Sequence, residues 1–348
     1  MIAVRSSASP ADPSQACWRV GDEARDGRKE SSEPTDLPPT LPSVTVVVCT
    51  RNRADSLRRA LQSLTKLDHA GLRVDLLVVD NGSTDHTAAV VEEVAASSPI
   101  PVARVYEPTP GVATARQRGV LESRGDWIAS FDDDQLAEPD WLCKLFALAQ
   151  QKDVKFVGGR VRLHLPPAFE NRDLAPFTRM LLGASVGMPA VRRYDLKTTP
   201  GAGNMMAHRE VFERVGPFDP TLDRGEDTDF YVRAADAGFQ VWYTPEAVVH
   251  HCIPADRMND AYLYRLCDII GNGTAERDFE RLGRVKLAAM WLARLGQSFL
   301  TLTPPWLWAK VRGDVELERG RRCRLRVARR YLADCGRYVV GLPVTVPR

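Results

Sequence analysis

Residues 44–50 read Val-Thr-Val-Val-Val-Cys-Thr, a β-branched run with almost no polar alternation. A strand with one wet face alternates apolar and polar side chains. A run that does not alternate is buried on both faces, which puts it inside a parallel sheet covered by helices. Arg51-Asn-Arg53 breaks the run. Leu57, Ala60, Leu61, Leu64 and Leu67 then recur at helical spacing, with Asp55 or Ser56 near the start as a cap. A second strand follows at residues 74–80. Asn81-Gly82 turns it into a helix from about Thr84 or Asp85 to about Ala96. A third strand at 102–106, a helix over about 112–123 and a fourth strand at 127–131 complete a βαβαβαβ pattern. That pattern predicts an α/β chain with an open, doubly wound, mostly parallel sheet and right-handed crossovers. Such sheets bind ligands at the carboxyl ends of their strands.

Polar residues collect at those ends. Thr50 to Arg53 closes the first strand, Asp80 to Ser83 the second, and Asp132-Asp133-Asp134 the fourth. Three adjacent carboxylates repel one another unless something positive is shared between them, most often a divalent cation. On an extended backbone, Asp132 and Asp134 face one side at roughly 6.5–7 Å separation while Asp133 points elsewhere. The plain alternative is an acidic turn. Oxygen ligands of this kind suit Mn²⁺ or Mg²⁺ rather than zinc. Each end has an ordinary reading by itself, so the weight lies in their conjunction on several strands.

Composition removes other classes. Over 348 residues the formal net charge is +2, which argues against bulk nucleic-acid binding. Seven scattered cysteines without CxxC spacing argue against a disulfide framework and a zinc site, and fit a reducing, cytoplasmic compartment. Cys49, inside an apolar run, reads as a small core residue. Residues 1–42, rich in Ser, Pro, Asp, Glu and Arg and without an apolar signal core, read as a disordered leader. No stretch reaches the roughly 20 apolar residues that a spanning helix needs.

The ordered motifs resemble family 2 glycosyltransferases with the GT-A fold, of the bacterial rhamnosyltransferase kind. They are VVVCTRNR (46–53), VVDNGSTD (78–85), GVATARQRG (111–119), FDDD (131–134), GAGNMM (201–206), GEDTDF (225–230) and PEAVVHH (245–251). The resemblance covers about residues 43–255. It implies metal-assisted, inverting transfer of a sugar from a nucleotide-sugar donor, linked to UDP, dTDP or GDP, onto a hydroxyl of a glycan or lipid-linked acceptor.

By that resemblance Asp80 holds the base or ribose, with Asp85 as a helper or, equally, a helix cap. Thr50 and Asn52 line the base pocket. Arg116, more than Arg118, reaches the diphosphate. Asp134 contacts metal, and Asp132 contacts ribose or metal. Asp227, in the first turn of a helix, is the general base, with Glu226 as the second candidate. His251 or His250 adds a metal ligand; adjacent strand residues face opposite ways, so one of the two serves, and His251 is preferred. Gly203, in Gly201-Ala-Gly203-Asn204, lets backbone approach the donor sugar closely. Residues 165–199 read as a variable lid or acceptor loop.

Beyond Cys252 the pattern is helical, so residues 256–348 form a partly basic helical region. Trp306 and Trp308 beside prolines and Lys310 suit a membrane–water interface, giving peripheral contact with the inner face of the cell membrane. The alternative is a helical subdomain with solvated charge. Two rival functions remain. A sugar-1-phosphate nucleotidylyltransferase would carry a glycine-rich loop after the first strand, where this chain has Arg51-Asn-Arg53. A degenerate, non-catalytic transferase acting as a scaffold is opposed by Asp132, Asp134 and Asp227.

Overall fold

The computed structural model describes residues 41–195, 198–222 and 225–344. The expected leader therefore lies, but for Leu41 and Pro42, outside the described residues. The first half alternates as the periodicity requires: β1 (Ser43–Thr50), α1 (Ala54–Leu64), β2 (Arg73–Asp80), α2 (Thr87–Ser97), β3 (Val102–Tyr106), α3 (Val112–Glu122) and β4 (Trp127–Asp132). Then follow β5 (Gln135–Ala137), α4 (Trp141–Lys152), β6 (Phe156–His164), α5 (Pro176–Leu181), β7 (Arg192–Arg193), β8 (Asn204–His208), α6 (Arg209–Val215), α7 (Glu226–Asp236) and β9 (Val241–Cys252). Three helices follow: α8 (Asp260–Thr301), α9 (Thr303–Val311) and α10 (Val315–Val340).

The strands form one mixed sheet in the order β3-β2-β1-β4-β8-β6-β9-β5, with β7 paired to β9. β3, β2, β1 and β4 are parallel. The unbroken apolar run of β1 is explained by its two faces. Val44, Val46 and Val48 pack with Leu57 and Leu61 of α1 and Leu142 and Leu145 of α4. Val47 packs on the other face with Ala115 of α3 and Phe230 of α7. The sheet is therefore wound on both sides. The run of parallel strands ends at β4, because β8 inserts antiparallel between β4 and β6. β6 then runs parallel to β9.

The cap expected at Asp55 or Ser56 is replaced by one from another loop. Helix α1 starts at Ala54, and Asp85 Oδ2 accepts its amide at 3.1 Å. Asp85 Oδ1 accepts the Thr87 amide at 3.0 Å and the Thr87 hydroxyl at 2.5 Å. That local turn delays α2 to Thr87, two or three residues later than its pattern suggested.

Segment 174–182 is anchored rather than loose. Leu174, Leu181 and Leu182 are buried with Ile253, Leu263 of α8 and Cys323 of α10. Helix α8 breaks at Gly283, where φ is +68°. Its first part packs on α10 through Ala275, Tyr331 and Cys335. Pro304 and Pro305 open α9, where their missing amide protons cost nothing. Among the described residues no helix is long and apolar enough to cross a membrane.

A bulge sets the register of β9. Between Gly158 and Arg160 the β6–β9 pairing shifts, bringing Leu163 opposite His251. A methyl on Gly159 would meet the Ala247 carbonyl oxygen at 2.3 Å and the Asn204 amide at 2.7 Å. Gly159→Ala is expected to destabilise the protein by about 1–3 kcal/mol through overpacking. A urea-unfolding midpoint unchanged from the parent would refute this.

Candidate active site

Parallel pairing sets the first part of the site. Thr50 lies opposite Asp80, and Cys49 opposite Asp132, so the ends of β2, β1 and β4 stand level on neighbouring strands. Asp80 is buried; it accepts the Ser83 amide at 3.0 Å and pairs with Arg104 at 3.1 Å. Thr50 donates its hydroxyl to Asp133 Oδ2 at 2.7 Å. Asn52 adopts φ +53° and accepts the Thr84 amide at 2.7 Å, tying the first-strand loop to the second. The contacts of Asp85 are those of the helix cap described above.

The acidic triplet divides three ways, because the extended backbone stops at Asp132 and the next two residues turn. The same-side argument for Asp132 and Asp134 therefore does not apply. Asp132 is 37% exposed at its side chain and pairs with Arg116 at 2.9 Å. Asp133 turns inward to Thr50 and to Arg53 at 2.9 Å. Burial pushes its carboxyl above the ordinary value, against the pull of Arg53 and Thr50. Asp134 meets Arg53 at 3.1 Å, His251 at 3.5 Å and Arg257 at 3.6 Å. Burial raises its pKa, but the His251 hydrogen bond and charge, with Arg53 and Arg257, outweigh this and hold it below the usual range.

The two histidines separate cleanly. His250 Nε2 is bound to Glu138 at 2.7 Å. His251 Nδ1 lies 2.9 Å from the Leu182 carbonyl, which only accepts, so this nitrogen carries a proton and Nε2 is aimed at Asp134. Burial lowers the His251 pKa, yet the Asp134 bond and charge raise it further, for a net rise. Gly183, at φ +92°, passes this ring with room for no methyl beyond a 3.1 Å contact.

Arg116 joins the sheet to α7. It is buried, pairs with Asp132 and Glu226, and its Nε has no hydrogen-bond partner among the described residues. Arg118 instead makes a surface pair with Glu122 at 2.8 Å. Glu226 is buried against Arg116. Asp227, at the start of α7, accepts the Thr228 amide at 2.7 Å and the Ala202 amide at 3.3 Å. Its second oxygen thus faces the glycine loop. Gly203 sits so close to the triplet that a methyl there would meet Asp132 Oδ2 at 2.3 Å and Gln135 Nε2 at 2.4 Å. Burial pushes the Cys49 thiol up to about 12, so it is no nucleophile at neutral pH.

The structure thus gathers Asp132, Arg116, Glu226, Asp227 and Gly203 in one group, and Asp134 and His251 in another joined to it by the triplet backbone. Asp80 stands apart with Arg104. An open cleft of about 710 Å³ borders the second group and is lined by Asn52, Arg53, Asp134 and Arg257 among others. Among the described residues no three His, Cys, Asp or Glu side chains are gathered as a metal cage. Sequence reasoning missed Arg257 and Gln135, which no motif marks, and placed Arg53 at the polar end of the first strand without giving it a role. A basic residue three positions past the first strand, just before α1, was the available signal for Arg53.

The glycosyl transferase family 2 model matches residues 45–216. Glycosyltransferase AglE of Haloferax volcanii is 28% identical over 259 residues, 73% of this chain and 81% of that protein. Succinoglycan biosynthesis protein ExoM of Rhizobium meliloti is 30% identical over 226 residues, 63% of this chain and 70% of that protein. Among solved structures, the mannosyltransferase PcManGT from Pyrobaculum calidifontis, in complex with GDP-Man and Mn²⁺, aligns with a TM-score of 0.56 at 20% identity. It covers 88% of this chain and 90% of its own.

Removing one member of a buried ion pair strands the other, at about 3–5 kcal/mol. Arg116→Met is therefore expected to lose stability on that scale, and Arg116→Met with Glu226→Gln to lose less. Equal urea midpoints for the single and double variants would show that Glu226 does not depend on Arg116.

Proposed function

The chain belongs to glycosyl transferase family 2 and is a glycosyltransferase of GT-A fold, and from that premise we propose a metal-dependent, inverting transfer from a nucleotide-sugar donor to an acceptor hydroxyl. The observation that carries this reading is the meeting of Asp132 and Asp227 around the buried Arg116 at the strand ends, with Asp134, of the same acidic triplet, paired to His251 just beyond. The GDP-Man and Mn²⁺ in the mannosyltransferase complex support the same donor class and cofactor.

In this reading Asp80 and Thr50, level on β2 and β1, hold the nucleoside. The unpartnered Arg116 Nε–H donates to a diphosphate oxygen, since a buried donor without a partner is costly. Asp134 and His251 fit a divalent cation: two donor atoms lie 3.5 Å apart, and the His251 ring is oriented from behind by a carbonyl. Mn²⁺ or Mg²⁺ held there would stabilise the charge that grows on the departing nucleoside diphosphate, while Asp132 stays paired with Arg116.

Asp227 is the better base of its pair. Glu226 is committed to Arg116, whereas Asp227 Oδ2 has only the long Ala202 bond to give up. The acceptor oxygen forms its bond to the anomeric carbon as the bond to the diphosphate breaks, and its proton passes to Asp227. Gly203 lets the backbone of its loop lie directly against Asp132, where any side chain would clash.

The second half of α8 and α9 supports peripheral membrane contact. Phe299, Leu300 and Val311 are 72%, 71% and 86% exposed, with Leu292 and Trp308 also outward. Arg312 lies over the Trp308 ring and Lys310 over Trp306, which suits an anionic lipid surface.

Nucleoside diphosphate release from a panel of UDP-, dTDP- and GDP-sugars tests the chemistry. Chelation should abolish turnover and Mn²⁺ restore it. Asp227→Asn should lower kcat by about 10²–10⁴-fold; turnover at the parent level would refute its role. For the membrane, Phe299→Glu with Trp308→Glu should cut co-sedimentation with anionic vesicles about fivefold or more, given the cost of placing charge at a lipid surface. Undiminished co-sedimentation would remove these helices from the contact.

A further inference from the structure

A second cleft, of about 690 Å³, takes no part in the reading above and lies between β6 and segment 184–189. Arg160, Arg162, Arg172 and Arg179 line it, and no carboxylate does. Leu163, Leu165, Leu174, Val186 and Met188 supply its apolar wall.

The four guanidinium groups are unequal. Arg172 pairs with Glu316 at 3.5 Å, and Arg179 pairs with Asp173. Arg160 and Arg162 have no ion-pair partner among the described residues. Arg160 is held in position by donating to the Tyr243 hydroxyl at 3.3 Å and the Met188 carbonyl at 3.4 Å. Two apart on β6, Arg160 and Arg162 share a face with roughly 6.5–7 Å between them. Planar guanidinium forks recognise phosphoryl and carboxylate oxygens. Two uncompensated positive charges match a dianion better than a single carboxylate. The apolar wall beside them calls for a stem without charge.

The cleft also adjoins the site. Leu165 lines both clefts, and the segment that walls this one begins beside Leu182, whose carbonyl orients His251. We propose that this cleft binds a phosphate monoester or diphosphate carried on an apolar stem, as the anchoring group of the acceptor. That it belongs to the acceptor rests on the sugar-transfer reading; the anion site itself does not.

Octyl phosphate below its micelle concentration is the probe, titrated calorimetrically into the full chain beside inorganic phosphate and octanol. Saturable binding of octyl phosphate, at least about tenfold tighter than either control, is expected from the joint use of charge and apolar wall. Arg162→Gln and Val186→Asp change exposed side chains. Each should weaken octyl phosphate about tenfold or more, leaving donor hydrolysis in Mn²⁺ unchanged. Equal binding of octyl phosphate and inorganic phosphate, or variants that bind like the parent, would overturn the proposal. Donor hydrolysis missing from every preparation would instead sink the sugar-transfer reading and leave the anion site standing.

Discussion

The buried guanidinium of Arg116 is the contact on which the arrangement depends. It stands on α3, at one end of a parallel strand–helix unit, and reaches both Asp132 on β4 and Glu226 on α7. Without a cation between them, the buried Glu226 and the partly exposed Asp132 would repel. The pairing therefore fastens the parallel half of the sheet to the later helix that carries Asp227. It also leaves one donor, Nε, without a partner among the described residues. A buried group in that state is suited to a ligand oxygen.

The acidic triplet solves a repulsion problem by division. One side chain goes to Arg116, one inward to Thr50 and Arg53, and one to Arg53, His251 and Arg257. Each carboxylate has a positive neighbour, and Arg53 is shared between Asp133 and Asp134, which offsets the repulsion between those two. The same division leaves the ordinary acidic turn as a partial truth, since Asp133 serves the fold. The arginine-lined cleft beside the site extends this positive potential beyond the triplet, where no carboxylate lines the wall.

Much of the site was legible before any coordinates. Level strand ends follow from parallel pairing, so Thr50, Asp80 and Asp132 could be grouped from three apolar runs and their polar stops. Strand alternation allowed only one of His250 and His251 to serve, and the structure faces His251 toward Asp134. Arg116 and Arg118 could not be fully separated by sequence, because both lie on one short helix. Packing decides between them: Arg116 points at the α7 terminus and Arg118 at Glu122. Asp85 was open between a ligand contact and a cap, and its bonds to Ala54 and Thr87 are those of a cap.

Local pattern by itself determined the βα alternation, the burial of β1 on both faces and the edge at which polar groups collect. These depend on side-chain period and turn chemistry, which act over a few residues. Only the tertiary structure decided that β8 runs antiparallel, that β5 pairs with β9 and sets His251 opposite Gln135 beside Asp134, and that Arg257 and Gln135 join the site. Those outcomes come from close packing between segments distant in the chain. A single added methyl at Gly159 or Gly203 meets its neighbours too closely, and no local signal records it.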